Sequence, residues 1–446
     1  MTAVADTIDD RIDAYRETLF ELLAQPSVSA TGEGMDEAPA LVESILTDHG
    51  FDSVRRIETS RYPLVYAESI VDDDAPTVTF YGHYDVQPPG EEALWETPAF
   101  EPTVRDGSIY ARGSGDNKGQ FLAHVFAHDA LRSADREPDV NVKLLVEGGE
   151  ETSSVGLREY LEDEPTEIAD SDLVYVADGP MHPSRRPTLI YGNRGLLSVQ
   201  LDLRTANTDL HSGNFGGPIP SATNELIEVT ASMFDGDRVT IDGFRDAIAI
   251  TDADRALVES IPVDEAAIKA ELDVDELASE MPYYERLLLE PTLTVNGMEG
   301  GYQGDDQKTI IPHRATVKFD SRLVPDQDPD EVFELIEAHV TAQNPAVEVR
   351  KLGSFPPMKT PLDTPAAEPL AAAMTDVWDV DPVEMPLLGG SLPSAYFRTE
   401  LDVPVLVVPY ANPDQGNHSP NEHLDLDCFR NGIETTARFL ERLPEA

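Results

Sequence analysis

Residues 77–85 read TVTFYGHYD, an apolar run rich in β-branched and aromatic residues that closes on His83 and Asp85. Such a run reads as a buried strand. Along an extended chain residues i and i+2 share a face, so the Asp85 carboxylate can lie beside the His83 imidazole. By itself the pair also fits a surface histidine next to an acid. A second apolar run, 140–146, leads into VEGGEETS (146–153), where Glu150 and Glu151 follow a glycine turn. Two adjacent acids at the end of an apolar strand repel unless a cation compensates. One can then hold a metal while the other acts as a base toward metal-bound water.

Working outward, a helix is expected over 119–132 between these strands, and a helix near 37–49 with a strand at 64–68 before them. This alternation predicts an α/β layer with a mainly parallel sheet, whose sites form beyond the carboxyl ends of the strands. From about residue 192 the pattern changes. Segments 197–203 and 316–323 alternate like half-exposed strands, with helix-sized pieces at 221–228 and 331–343 and an acidic stretch over 235–290. That predicts a smaller α+β domain inserted into the first. After Pro357 the α/β character returns, with a helix at 366–378, a strand at 403–408 and a closing helix at 429–440. The division is 1–191 and 358–446 for the first domain and 192–357 for the insert.

The charge balance is extreme: 85 Asp and Glu against 32 Lys and Arg in 446 residues, a formal net of −53 spread along the whole chain. Such a surface repels polyanions, which argues against nucleic acid and anionic membranes as partners. It fits adaptation to a high-salt cytoplasm better than an acidic tail. The single cysteine, Cys428, excludes an intrachain disulfide framework and fits a reducing compartment. Without a basic-then-apolar start or a bilayer-length apolar run, the expectation is a soluble, cytoplasmic protein.

Three further acids or histidines complete a ligand inventory. Asp116 sits in ARGSGDNKGQ (111–120), where glycines allow a tight turn before a helix; alone it also fits a helix cap. Asp178 ends the run DLVYVADG (172–179), and His418 lies in the polar loop NHSPNE (417–422). His83, Asp116, Glu151, Asp178 and His418 are of the types that suit zinc, manganese or cobalt.

In this order, GHYDVQP, RGSGDNKG, EGGEE, HSGNFGG, KTIIP, GGS and NHSPNE resemble the di-zinc peptidase family of carnosinases, cytosolic dipeptidases, aminoacylases and carboxypeptidase G, over essentially the whole chain. The resemblance implies two divalent ions, one on His83, Asp116 and Asp178, the other on Asp116, Glu151 and His418, with Asp116 bridging. It implies Glu150 as general base toward the bridging water, Asp85 orienting His83, and a cis peptide between Asp116 and Asn117. The insert becomes a lid and dimerisation domain. There His211 steadies the oxyanion and Arg322 meets the substrate carboxylate; Thr309 in the insert and the Gly390-Ser391 turn beyond it match substrate-contacting positions. A bidentate guanidinium suits that carboxylate, although Arg322 by spacing alone also fits a strand-surface salt bridge. A homodimer is implied by the same resemblance.

Asp rather than Glu at position 178 resembles the dipeptidase members, so cleavage of small peptides is the expected activity. An N-acyl-amino-acid deacylase is the alternative, and a non-catalytic binding homologue is disfavoured by the presence of Glu150 and every ligand. His124 and His128, four apart in HVFAH, lack the glutamate of the zincin motif and read as a helix-packing pair. His49, His182, His313, His339 and His423 read as surface or structural, and no G-x-S-x-G elbow supports a serine hydrolase.

Overall fold

All seven residues of the strand Thr77–His83 are buried, as befits an apolar run without alternation, which needs cover on both faces. The computed structural model describes residues 2–163 and 165–445. It divides into two compact units, residues 1–191, 360–385 and 396–446 in one, and 192–359 with 386–395 in the other.

In the first unit an eight-stranded sheet runs in the order Ser53–Ile57, Leu64–Ser69, Asn141–Glu147, Thr77–His83, Leu173–Val176, Val405–Val407, Thr188–Ile190, Val383–Met385. Its central strands are mutually parallel and its sheet is mixed at the flanks. The fold is therefore α/β with a mainly parallel sheet. The helix Lys118–Ser133 packs on Thr77–His83 and is flanked by Thr2–Ala24 and Leu426–Arg442. Every residue from Lys118 to Leu131 is buried, so its polar side chains need partners. They have them. Lys118 Nζ donates to Leu22 O at 3.0 Å and Gln25 O at 2.8 Å, where the N-terminal helix ends. His124 bonds Thr436 Oγ1 at 3.0 Å and stacks on Phe80, and His128 bonds Ser69 Oγ at 3.2 Å. Both histidines thus serve packing.

The second unit carries a four-stranded antiparallel sheet in the order Thr292–Gly300, Arg314–Leu323, Gly195–Arg204, Glu348–Phe355. Alternation in the two central strands turns Leu197, Val199, Leu201, Val317 and Phe319 into one core with residues of the helices Ala222–Ala231 and Pro329–Gln343. Asp328 caps the latter by accepting from the Asp330 and Glu331 amides. The two outer strands escape a reading by pattern because they are edges: most of their residues are partly or fully exposed, and apolar alternation is confined to Leu293 and Val295 in one and lacking in the other. The acidic stretch resolves into three short helices, Asp252–Ser260, Glu265–Glu271 and Tyr283–Leu288, after a small hairpin.

Candidate metal centre

Strand ends and the turns that follow them build the site in the first unit. His83 is the last residue of its strand. Its Nδ1 lies 3.0 Å from the Asp85 carbonyl oxygen and 3.4 Å from Asp85 Oδ1. A carbonyl only accepts, so Nδ1 carries the proton and Nε2 keeps its lone pair for a ligand role. The Asp85 carboxylate also accepts from the amides of Glu150 at 3.2 Å and Glu151 at 3.1 Å. One aspartate thereby ties the histidine to the acid pair.

That pair opens the short turn Glu150–Thr152 after the strand Asn141–Glu147. Gly148 is required on the way, since a Cβ there would meet the Tyr84 hydroxyl at 2.1 Å. Asp178 lies two residues beyond Leu173–Val176. Asp116 precedes the helix Lys118–Ser133, and its bond to Asn117 is cis. His418 stands on a loop with φ of 60°.

These residues converge as two groups, His83 with Asp116 and Asp178, and Asp116 with Glu151 and His418, the ligand atoms of each within 4.8 Å of one another. Asp116 belongs to both. Its Oδ1 is 3.2 Å from His83 Nε2 and its Oδ2 is 3.1 Å from His418 Nε2. His418 Nε2 is also 3.3 Å from Glu151 Oε2, and His83 Nε2 is 3.8 Å from Asp178 Oδ2.

The cluster is short of positive charge. Burial, reinforced by Asp116, pushes the Asp178 carboxyl up to about 7. Burial above all, with Asp178, Glu151 and Asp116 adding repulsion, raises Glu150 well above the carboxylate range. Asp116 moves the other way: burial opposes its charge, but His418 and His83 outweigh it and hold the carboxyl down. Asp116 and Glu151 in turn push His418 up to about 10. Such a set retains protons until a cation replaces them. His83 Nε2 and Glu151 Oε1 are moreover buried without a hydrogen-bond partner. Orphaned imidazole and carboxylate donors of this kind are what a divalent transition metal takes, so the residues fit a metal.

Three polar side chains around the groups escape a reading by motif, although each lies in a quoted motif. Gln87 Nε2 donates to Glu151 Oε2 at 2.8 Å. Asn117 bonds the His83 amide and the Ala177 carbonyl. Glu422, wholly buried, accepts from Arg112 Nη1 at 2.6 Å and from the amides of Gly113, Gly115 and Asp116 at 3.1, 3.0 and 2.9 Å. It cradles the turn that presents Asp116. The signal available in the sequence was an unexplained acid four residues past His418.

In the second unit, His211 and Ile310 face each other across a two-residue ladder, and the Ser212 amide donates to Thr309 O at 3.1 Å. His211 is exposed. Its Nδ1 accepts from the Gly213 amide at 3.0 Å, which leaves Nε2 as the protonated nitrogen of the neutral ring. Arg322 is half-buried, and its Nη1 donates to Ser391 Oγ at 3.1 Å. Among the described residues no carboxylate lies within ion-pair distance of Arg322, so the surface salt bridge is not what it forms. Gly390 adjoins Ser391 and is half-buried. His49, His182, His313, His339 and His423 are each bonded elsewhere, to Ile45 O, Ser184, Asp209, Ser232 and Asn421 O.

Imidazoles and carboxylates converging on the carboxyl edge of a parallel sheet, with a spare acid alongside, define a metal-dependent hydrolase. Comparison with known proteins agrees. The model of peptidase family M20/M25/M40 matches residues 79–442. The Cys-Gly metallodipeptidase DUG1 of Saccharomyces cerevisiae is 29% identical over all of this chain and 98% of its own length. The Beta-Ala-His dipeptidase of Mus musculus is 31% identical over 85% of this chain and 80% of its own. The crystal structure of Sso-CP2, an M20 family metallo-carboxypeptidase from Sulfolobus solfataricus, superposes with a TM-score of 0.89 at 34% identity, covering 97% of this chain and 99% of that one. The chain belongs to peptidase family M20/M25/M40 and is a metallopeptidase. Among the described residues no helix is long and apolar enough to cross a membrane.

Proposed function

We propose that this enzyme hydrolyses dipeptides with two divalent ions, zinc in preference to manganese or cobalt, served by His83, Asp116 and Asp178 on one side and Asp116, Glu151 and His418 on the other. The observation that carries this is Asp116, whose two oxygens face two different histidines at 3.2 and 3.1 Å. The dipeptidase names of two relatives support the substrate class. Bound ions would polarise the scissile carbonyl and acidify the attacking water.

The rest falls to side chains. Glu150, whose carboxyl is held well above its usual range, takes the proton of the attacking water and hands it to the leaving amine. Asp85 holds His83 in the tautomer that leaves Nε2 free. Arg322 offers its guanidinium to the substrate carboxylate beside Ser391 and Gly390, with Thr309 a further contact. The Nε2–H of His211 is a donor for the oxyanion. The catalytic domain comprises 1–191 and 358–446. The insert 192–357 acts as lid and as the contact of a homodimer. The enzyme works in a salty cytoplasm, where screening relieves a formal charge of −53; its melting temperature should accordingly fall when salt is diluted from molar to millimolar levels, and an unchanged one would remove the halophilic part of this reading.

The test is amine release from a panel of dipeptides, longer peptides and N-acyl amino acids in high salt, after chelator stripping and again after adding back zinc, manganese or cobalt. Metal-dependent cleavage of dipeptides supports the reading. Turnover of acyl substrates alone moves the enzyme to the deacylases, and release of single residues from longer peptides moves it to the carboxypeptidases.

A further inference from the structure

The strands Thr77–His83 and Leu173–Val176 pair in parallel from Val78 with Leu173 up to Tyr81 with Val176, and no further. His83 and Asp178 lie beyond that point. On its other side His83 is still paired, with Glu147. At the place where the first two strands part, the wholly buried side chain of Asn117 enters between them. Its Oδ1 accepts from the His83 amide at 3.3 Å, and its Nδ2 donates to the Ala177 carbonyl at 2.6 Å. A carboxamide presents an acceptor oxygen beside N–H donors, as a peptide unit presents its C=O beside its N–H, so Asn117 stands in for the missing rung of the ladder. Room for it comes partly from Gly82, where a Cβ would lie 3.0 Å from Asn117 Oδ1 and 2.3 Å from Phe121 Cβ.

The side-chain hydrogen bonds of Asn117 are one-sided. It bonds the backbone of His83 and of the residue before Asp178, and it has no bond to Glu151 or His418. Glu151 is held instead by Gln87 and by Asp85 through its amide. We propose that Asn117 is a positioning residue that sets the spacing of His83 with Asp178, and so governs the ion served by His83, Asp116 and Asp178 without governing the other. This rests on the two-ion reading above.

The test uses the full chain and measures zinc stoichiometry and affinity by chelator competition. Asn117→Asp keeps the size and the acceptor but loses the donor toward Ala177. Asn117→Ser reaches neither partner fully and serves if the first variant does not fold. Single-ion backgrounds assign the effect: His418→Ala leaves the His83 group, and His83→Ala leaves the His418 group. In the His418→Ala background the Asn117 substitution should weaken the remaining equivalent by about 10–100-fold, the usual cost of losing an outer hydrogen-bond partner. In the His83→Ala background the remaining equivalent should not change. Equal weakening in both backgrounds, or none in either, overturns the proposal while the two-ion reading stands. Fewer than two equivalents in the unsubstituted protein overturns that reading, and this proposal with it.

Discussion

The two candidate ligand groups share Asp116 and differ in almost everything else. In one, His83, Asp116 and Asp178 are all buried, and the His83 side chain is fully enclosed. In the other, the His418 side chain is 53% exposed and stands on a loop. In the first, His83 is still paired with Glu147 at the end of its strand, and Asp178 follows the neighbouring strand by two residues. The second is assembled from a turn and a loop, held by side-chain bonds. A buried, closed set of donors suits retention of an ion, while an open one leaves space for water and substrate. The asymmetry therefore predicts a slowly exchanging ion beside a labile one.

The largest expected effect removes the comparison altogether. On the two-ion reading Asp116→Ala takes a ligand from both groups, so both zinc equivalents and all turnover should be lost, as read by elemental analysis and amine release. Glu150→Gln is its counterpart. It should cut turnover by about 10²–10⁴-fold, the usual worth of a positioned acid–base group, while both equivalents stay bound. If Glu150→Gln also lost an ion, Glu150 would be a ligand rather than the base.

A smaller change sharpens the contrast. Gln87→Ala removes the donor to Glu151 Oε2, which touches only the open group. It should weaken one equivalent by about 10-fold or somewhat more, the labile one, and the retained ion should keep its affinity. Chelator competition separates the two. Loss from the tight equivalent instead would mean that the groups are coupled beyond Asp116.

How much of this was legible in the sequence follows the same division between chemistry and partners. Glu150 and Glu151 announce themselves because two acids after a glycine turn at the end of an apolar strand have no role in packing. His83 is visible because a buried strand ends on it, and Asp178 because it follows another by two residues. Gln87, Asn117 and Glu422 carry no such incongruity, for their meaning lies in partners 64, 34 and as many as 310 residues away. The central strands of the smaller sheet are legible because one face is buried. Its edge strands Thr292–Gly300 and Glu348–Phe355 are not, because an exposed edge needs no sustained alternation, and only Leu293 and Val295 keep one.

A third class of histidine gives the smallest effect and tests whether burial alone sets the contrast. His124 is as enclosed as His83, but it packs among Phe80, Tyr175 and Thr436 with no carboxylate beside it. Burial depresses it to about 3, and it likewise depresses His128 to about 4. The ordinary value is about 6.5. Between pH 6.5 and those values the unfolded chain takes up protons that the folded one refuses. The stability these histidines contribute is therefore complete above pH 6.5 and is lost as pH falls below it, at about 1.4 kcal/mol per pH unit for each ring. His124→Gln keeps a polar contact for Thr436 and removes one of the two titrations. Denaturant unfolding of the chelator-stripped protein at pH 7.5, 6.0 and 5.0 should show a shallower acid loss in the variant than in its parent. Parallel curves would mean that His124 takes up a proton in the fold, and that a neighbouring carboxylate is not what separates His83 from it.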